Sequence, residues 1–251
     1  MSTAEFPRVD RSIVADDGDA FTFCSTCAFS QACLSQGMDK SQLRDLHMLV
    51  EHIGPLHAGD HVFREGDPFE AIAAVRAGTV KTYTVDRDGR EHVLGFHLPG
   101  EVIGLNAIAA DRFPCNAVAL DTVTLCRFSF PKISVLATRL PRLQQTLFQM
   151  LSRDIGTASM LAGDWSADER MAAFLVRLSR RLAARGFSAE RFQLTMSRTD
   201  IANYLRLAPE TVSRVLKRFN DEGLIQVERR EIELTGRARL EDIAGAILQS
   251  A

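Results

Sequence analysis

The sequence predicts an α+β chain built from an N-terminal β-roll (jelly roll), one long helix and a C-terminal winged helix-turn-helix. Three observations predict it. From Leu56 to about Phe130, short apolar runs are cut by turn signals: Ala58-Gly59-Asp60, Glu65-Gly66-Asp67, Ala77-Gly78, Arg87-Asp88-Gly89 and Pro99-Gly100-Glu101. From Pro141 the apolar spacing changes to threes and fours. Between Ser197 and Phe219, two helical patterns flank a short turn.

Residues 1–38 are expected to be an arm and a cysteine-bearing loop. A short helix follows, with Asp39 as N-cap and Leu43, Leu46, Leu49 and Val50 as its stripe. The roll spans 39–138. Within it, Val80, Thr82 and Thr84 alternate with Lys81, Tyr83 and Val85, a strand entering the Asp88-Gly89 turn. The long helix spans 139–163 and opens at Pro141, where a missing N–H costs nothing. Leu140, Leu147, Leu151, Asp154, Ala158 and Leu161 form a narrow seam that includes Gln144. Such a seam fits either the helix's own core or a two-fold partner, and the charge in it favours the partner. In a parallel dimer each seam residue meets its twin, so paired Asp154 carboxylates would oppose association and make it switchable. A second helix is expected from about Ser166 to Ala184, within a DNA-binding part spanning 164–251.

The 251 residues suffice for two cores, and 46% hydrophobic with 25% charged residues is globular composition. No run of apolar residues is long enough for a membrane span, and the acidic start (Glu5, Asp10, Asp16, Asp17, Asp19) is no leader. A cytoplasmic chain with reduced thiols is expected. No Walker loop, nucleophile elbow or zinc-hydrolase His pair occurs, so no enzyme is expected. The net charge of −2 conceals arginines at 177, 180, 181 and 185 and basic residues at 198, 206, 214, 217 and 218, which hint at an anionic partner.

Ser197 and Asp200 make a capping box, and Ile201, Ala202 and Leu205 face inward. Arg206 takes a turn position suited to left-handed backbone, and Ala208 is an N-cap without a side-chain oxygen. Pro209 opens the second helix, whose inward face is Val212, Val215, Leu216 and Phe219. Glu210, Ser213 and Arg214 share its outward face, the place from which a recognition helix reads double-stranded DNA. Arg pairs with guanine, Glu accepts from cytosine, and Lys217 is placed for phosphate. A β-hairpin wing is expected around Arg229-Arg230.

Five cysteines are present, and Cys24, Cys27 and Cys33 fall within ten residues. Three soft ligands so close fit metal better than disulfides. A cubane iron–sulfur cluster needs a fourth ligand from elsewhere. Zinc on the same thiolates, or simply free thiols, are the alternatives.

The order of parts, with the segments Gly95-Phe-His-Leu-Pro-Gly100, Leu175-Val-Arg-Leu-Ser-Arg-Arg181, Leu194-Thr-Met-Ser-Arg-Thr-Asp-Ile-Ala-Asn-Tyr-Leu205 and Glu210-Thr-Val-Ser-Arg214, resembles the CRP/FNR family of bacterial regulators, FNR branch. The resemblance covers nearly the whole chain. It implies a cyclic-nucleotide-binding-like roll and a homodimer. It also implies promoter palindromes of TTGAT half-sites read by Glu210, Ser213 and Arg214, with RNA polymerase as partner. It further implies a [4Fe–4S] cluster on Cys24, Cys27, Cys33 and Cys126, lost on exposure to oxygen. Cys126 lies in the matching segment Asp121-Thr-Val-Thr-Leu-Cys126-Arg-Phe, and Cys115 reads as a spare thiol. The small Ala32 beside Cys33 suggests weak shielding. A cyclic-nucleotide sensor needs an arginine where this chain has Pro114-Cys115-Asn116-Ala117, although Gly100-Glu101 is kept. A haem sensor would draw on His47, His52, His57, His61, His92 or His97.

Overall fold

The computed structural model describes Cys24 and residues 27–249, apart from the side chains of residues 158–162, 246 and 249. The acidic arm lies outside the described residues. The chain forms two compact units, one of residues up to Thr84 with Gly95–Leu151, the other of Val85–Leu94 with the residues from Ser152 onward.

In the first unit, Asp39 caps α1 (Lys40–His47) as expected and completes a capping box with Gln42. The helix is shorter than its stripe suggested, because Val50 already opens β1 (Val50–Leu56). The other roll strands are β2 (His61–Phe63), β3 (Ala71–Ala77), β4 (Val80–Val85), β5 (Glu91–His97), β6 (Val102–Ile103), β7 (Asn116–Ala119) and β8 (Val123–Ser129). They form two four-stranded sheets, ordered β1-β8-β3-β6 and β2-β7-β4-β5. Gly78 joins β3 to β4 at φ +79°, where any side chain would strike the Thr122 carbonyl.

Strand parity divides the core residues of β3 and β8 between two cores. Ala73, Val75, Val123 and Leu125 face the interior with Leu56, Val80 and the stacked rings of Phe63 and Phe113. Ile72, Ala74 and Phe128 face outward into a second core with Leu34, Leu46, Val102 and Ile133. Two helices cover that outer core: α2 (Phe130–Arg139), which the sequence reading missed, and α3 (Pro141–Ala162), which opens at Pro141 as expected. Leu143 of α3 is fully buried there, and Leu140, Leu147, Met150 and Leu151 join it. A fully buried side chain such as that of Leu143 contributes about 1.5–3 kcal/mol.

The second unit contains α4 (Ala167–Ala183), opened by a Ser166–Glu169 capping box. It packs against α7 (Arg237–Gln249), a helix missed in sequence although Leu240, Ala244 and Ile247 make its stripe. Next come α5 (Arg198–Leu205) and α6 (Pro209–Asp221). A three-stranded wing completes the unit: β10 (Gln226–Glu228) and β11 (Glu231–Glu233) form the expected hairpin, and β9 (Arg191–Gln193) adds a third strand.

Candidate nucleic-acid interface and cysteine site

The helix-turn-helix forms as its residues dictate. Ser197 Oγ accepts from the Asp200 N–H at 3.0 Å, and the Asp200 carboxylate accepts from the Ser197 N–H at 3.2 Å. Arg206 ends α5 with left-handed backbone, φ 56°. Ala208 caps α6 without a side-chain bond. Ile201, Ala202, Leu205, Val212, Val215, Leu216 and Phe219 are all buried.

Glu210, Ser213, Arg214 and Lys217 are exposed on α6. The Arg214 guanidinium donates to Thr211 Oγ1 at 3.1 Å, which steadies it along the helix. Lys217 pairs with Asp221 at 3.2 Å. Arg218 instead pairs with Asp168 of α4, so it braces the fold. The arginines of α4 are used similarly. Arg177 donates to Thr157 Oγ1 at 2.7 Å, and Arg180 pairs with Glu241 at 3.1 Å. The basic run of 177–185 therefore has structural uses that composition alone did not reveal. Arg170 was not singled out in sequence, yet it donates to the carbonyls of Gly163, Trp165 and Leu205. A lone arginine in a helix gives no signal of such a role.

The cysteines divide as their surroundings dictate. Cys126 lies on β8 on the outward side of the sheet, opposite His52 of β1 and Ala74 of β3. Cys33 and Cys126 pack against the same outer core. Burial pushes the Cys126 thiol up to about 12, and the charges of Cys33, Cys24 and Cys27 push the same way, while Arg76 opposes. Burial likewise raises Cys33 to about 11, with Cys24 and Cys27 adding to it. Cys24 is raised by burial and by Cys27. The thiols of Cys24, Cys33 and Cys126 are thus raised together, although Cys126 is far from the others in sequence. Their His52 neighbour holds Nδ1 3.8 Å from the Cys126 sulfur. Among the described residues, no three His, Cys, Asp or Glu side chains are set to hold a single metal ion. Four cysteine thiols are the donor type that a cubane iron–sulfur cluster takes, and a set of four cysteines also suits zinc. Cys115 is different. It is fully buried in the inner core and receives a hydrogen bond from Asn106 at 3.3 Å.

Among the described side chains of α3, the large exposed apolar residues are Phe148, 61% exposed, and Ile155, 68% exposed. The expected line through Leu140 and Leu147 faces the outer core instead. Asp154 is exposed beside Ile155, and the expected seam positions Ala158 and Leu161 fall among side chains outside the described set.

A Crp-like helix-turn-helix domain matches residues 169–243, and a cyclic nucleotide-binding domain matches 54–138. The transcriptional activator protein anr of Pseudomonas aeruginosa is 40% identical over 229 residues, covering 90% of this chain and 94% of that protein. The fumarate and nitrate reduction regulatory protein of Escherichia coli is 37% identical over 231 residues, covering 91% and 92%. This chain belongs to the CRP/FNR family of transcription regulators.

Other CRP/FNR proteins share the fold. The structure of FixK2 from Bradyrhizobium japonicum superposes with a TM-score of 0.71 at 29% identity, covering 78% of this chain and 98% of that one. The relatives named here are regulators rather than enzymes, and no helix among the described residues is long and apolar enough to cross a membrane. The first unit holds a cavity lined in part by Ile53, Leu56, Val62, Phe63, Phe113 and Leu125, with His61 and Arg127 as polar members. Several histidines also have internal partners: His61 meets Tyr83 at 3.0 Å, His92 meets Asp86 at 3.0 Å, and His97 meets Thr82 at 3.1 Å.

Proposed function

We propose that this regulator is a cytoplasmic, oxygen-responsive homodimer that binds TTGAT-type palindromic promoters and engages RNA polymerase there. Cys24, Cys27, Cys33 and Cys126 would hold a [4Fe–4S] cluster. The observation that carries this reading is that Cys126, on a roll strand, packs against the same outer core as Cys33 of the loop. When bound, the cluster supplies an oxygen-labile cross-link between loop and strand. The chain's own residues do the rest. The outer core receives Cys33 and Cys126 on one side and α3 on the other. Glu210, Ser213 and Arg214 present base-reading groups, and Lys217 presents charge to phosphate. The division at 1–38, 39–138, 139–163 and 164–251 remains our functional partition of the chain.

The reading is tested by purifying the protein without air. About four irons and four sulfides per chain are expected, with a straw-brown absorption that bleaches on aeration. A sharp Soret band, or zinc in place of iron, overturns it.

The dimer face is the exposed line of α3, through Phe148 and Ile155, with Asp154 at its flank. Ile155→Asp removes an apolar anchor from both chains and sets two carboxylates together. At about 1.5–3 kcal/mol per anchor, the dimer should weaken by a hundredfold or more. Asp154→Ala should strengthen the cluster-free dimer by about fivefold at most, as exposed charges are worth about 0.2–1 kcal/mol. Sedimentation equilibrium on the aerobic protein measures both. An unchanged dimer in Ile155→Asp removes this face, and an unchanged or weaker one in Asp154→Ala removes Asp154 from the switch.

A further inference from the structure

Leu34 follows Cys33 directly and is fully buried. It shares the outer core with Leu143 of α3, which is also fully buried, while Leu147 and Leu151 of the same helix pack against that core. The segment around it is held at two further points. Ala32 sits on the bare Cα of Gly100, where a Cβ would come within 3.0 Å of the Ala32 methyl, and Gly100 has φ +88°. Ser35 donates to the Ser30 carbonyl at 3.0 Å, closing the turn that carries Cys33.

Adjacent Cα atoms are about 3.8 Å apart, so Leu34 stays buried only while the Cys33 backbone stays against the roll. A displaced Cys33 withdraws Leu34 from the core it shares with Leu143. The vacated volume destabilises the packing of the first turns of α3, and close-packed cores respond to such loss by changing arrangement. Those turns carry Phe148 on their outward side.

We propose that Leu34 is a latch: a positioning residue that fixes the first turns of α3 while Cys33 is held and frees them when it is not. The proposal rests on the cluster reading only for what holds Cys33 in the cell.

The experiment has an arm that needs no iron. In a chain whose sole cysteine is Cys33, hydrogen exchange is followed at the amides of Leu143–Leu151 before and after alkylation with a bulky maleimide. Alkylation should speed exchange there about thirtyfold, the low end of what removing a core leucine costs locally. Leu34→Ala in that background should exchange fast from the start, with little added by alkylation. Leu46→Ala serves as control: Leu46 is 1% exposed in the same core but lies on α1, a separate element from the turn that carries Cys33. It should lower stability yet keep the response to alkylation. The second arm compares iron-loaded and iron-free wild type, in which loading should slow the same amides. The latch is overturned if alkylation of the Cys33-only chain leaves α3 unchanged, or if Leu46→Ala removes the response as fully as Leu34→Ala. The alkylation arm leaves Leu34 and Leu46 in place and compares the Cys33-only chain with itself before and after alkylation, so it decides even if the leucine variants do not fold. A protein that takes up no iron ends the cluster reading, while the alkylation arm still decides the latch.

Discussion

Cys126→Ser should leave anaerobically purified protein without its iron and sulfide and bring promoter activity to background. Cys115→Ser should retain both. The asymmetry follows from where the two thiols lie. Cys126 is on the outward side of β8 and packs against the same outer core as Cys33. Without it, three thiols on one short loop leave a cubane corner unligated. Cys115 is sealed in the inner core and faces Asn106. A serine oxygen there can still accept from Asn106 but adds a more polar group to an apolar site, so a stability loss of about 1–2 kcal/mol is expected. Iron and sulfide analysis with a promoter assay reads the first effect, and thermal unfolding reads the second. Iron retained in Cys126→Ser but lost in Cys115→Ser would reverse the ligand assignment.

Arg214→Ala should cost about 1–3 kcal/mol per half-site, about 5-fold to 150-fold, and relax discrimination at one G·C pair. Arg214 is exposed near the start of α6, and its bond to Thr211 keeps the guanidinium extended beside the helix. Lys217→Ala should act on all sequences alike and flatten the salt dependence by up to about one unit of slope. The effect should fall short of that, because Asp221 already partly neutralises Lys217. Titrations of matched and single-mismatch palindromes at several salt concentrations separate the two. If Arg214→Ala weakened matched and mismatched sites equally, Arg214 would be a backbone contact.

The helix-turn-helix was legible because its constraints are local. Ser197 and Asp200 bond across three residues, Arg206 adopts the backbone its turn position requires, and Ala208 lacks a capping oxygen as its side chain dictates. The long helix α3 was legible only in part. Heptad arithmetic finds apolar lines at 140/147 and, one residue on, at 148/155, but cannot say which line the chain keeps for itself. That choice is made by α1, α2 and the sheet, which supply the core that Leu140, Leu143 and Leu147 complete. Two helices escaped for different reasons. α7 carries a readable stripe at Leu240, Ala244 and Ile247 that went unused. α2 begins at Phe130-Pro131 directly after β8, so no loop signal marks its start. The three loop cysteines stood out by spacing, whereas Cys126 was found only through the family segment around it, since a single strand cysteine gives no sign of the face it will take.

The sheet of β1, β8, β3 and β6 is one strand-layer thick and serves two cores at once. Gene-length changes should therefore be tolerated very unevenly. Adding or deleting one residue between Val123 and Cys126 inverts the parity of β8 and sends the sulfur into the closed interior, with Leu125 turned toward the loop. The irregularities already present, between Ile53 and Leu56 on β1 and between Val75 and Ala77 on β3, lie on the neighbouring strands, where a shift in phase leaves Cys126 in place. Lineages of this regulator should thus vary in the turns around Gly59, Gly66 and Gly89, while the count of residues along β8 stays fixed.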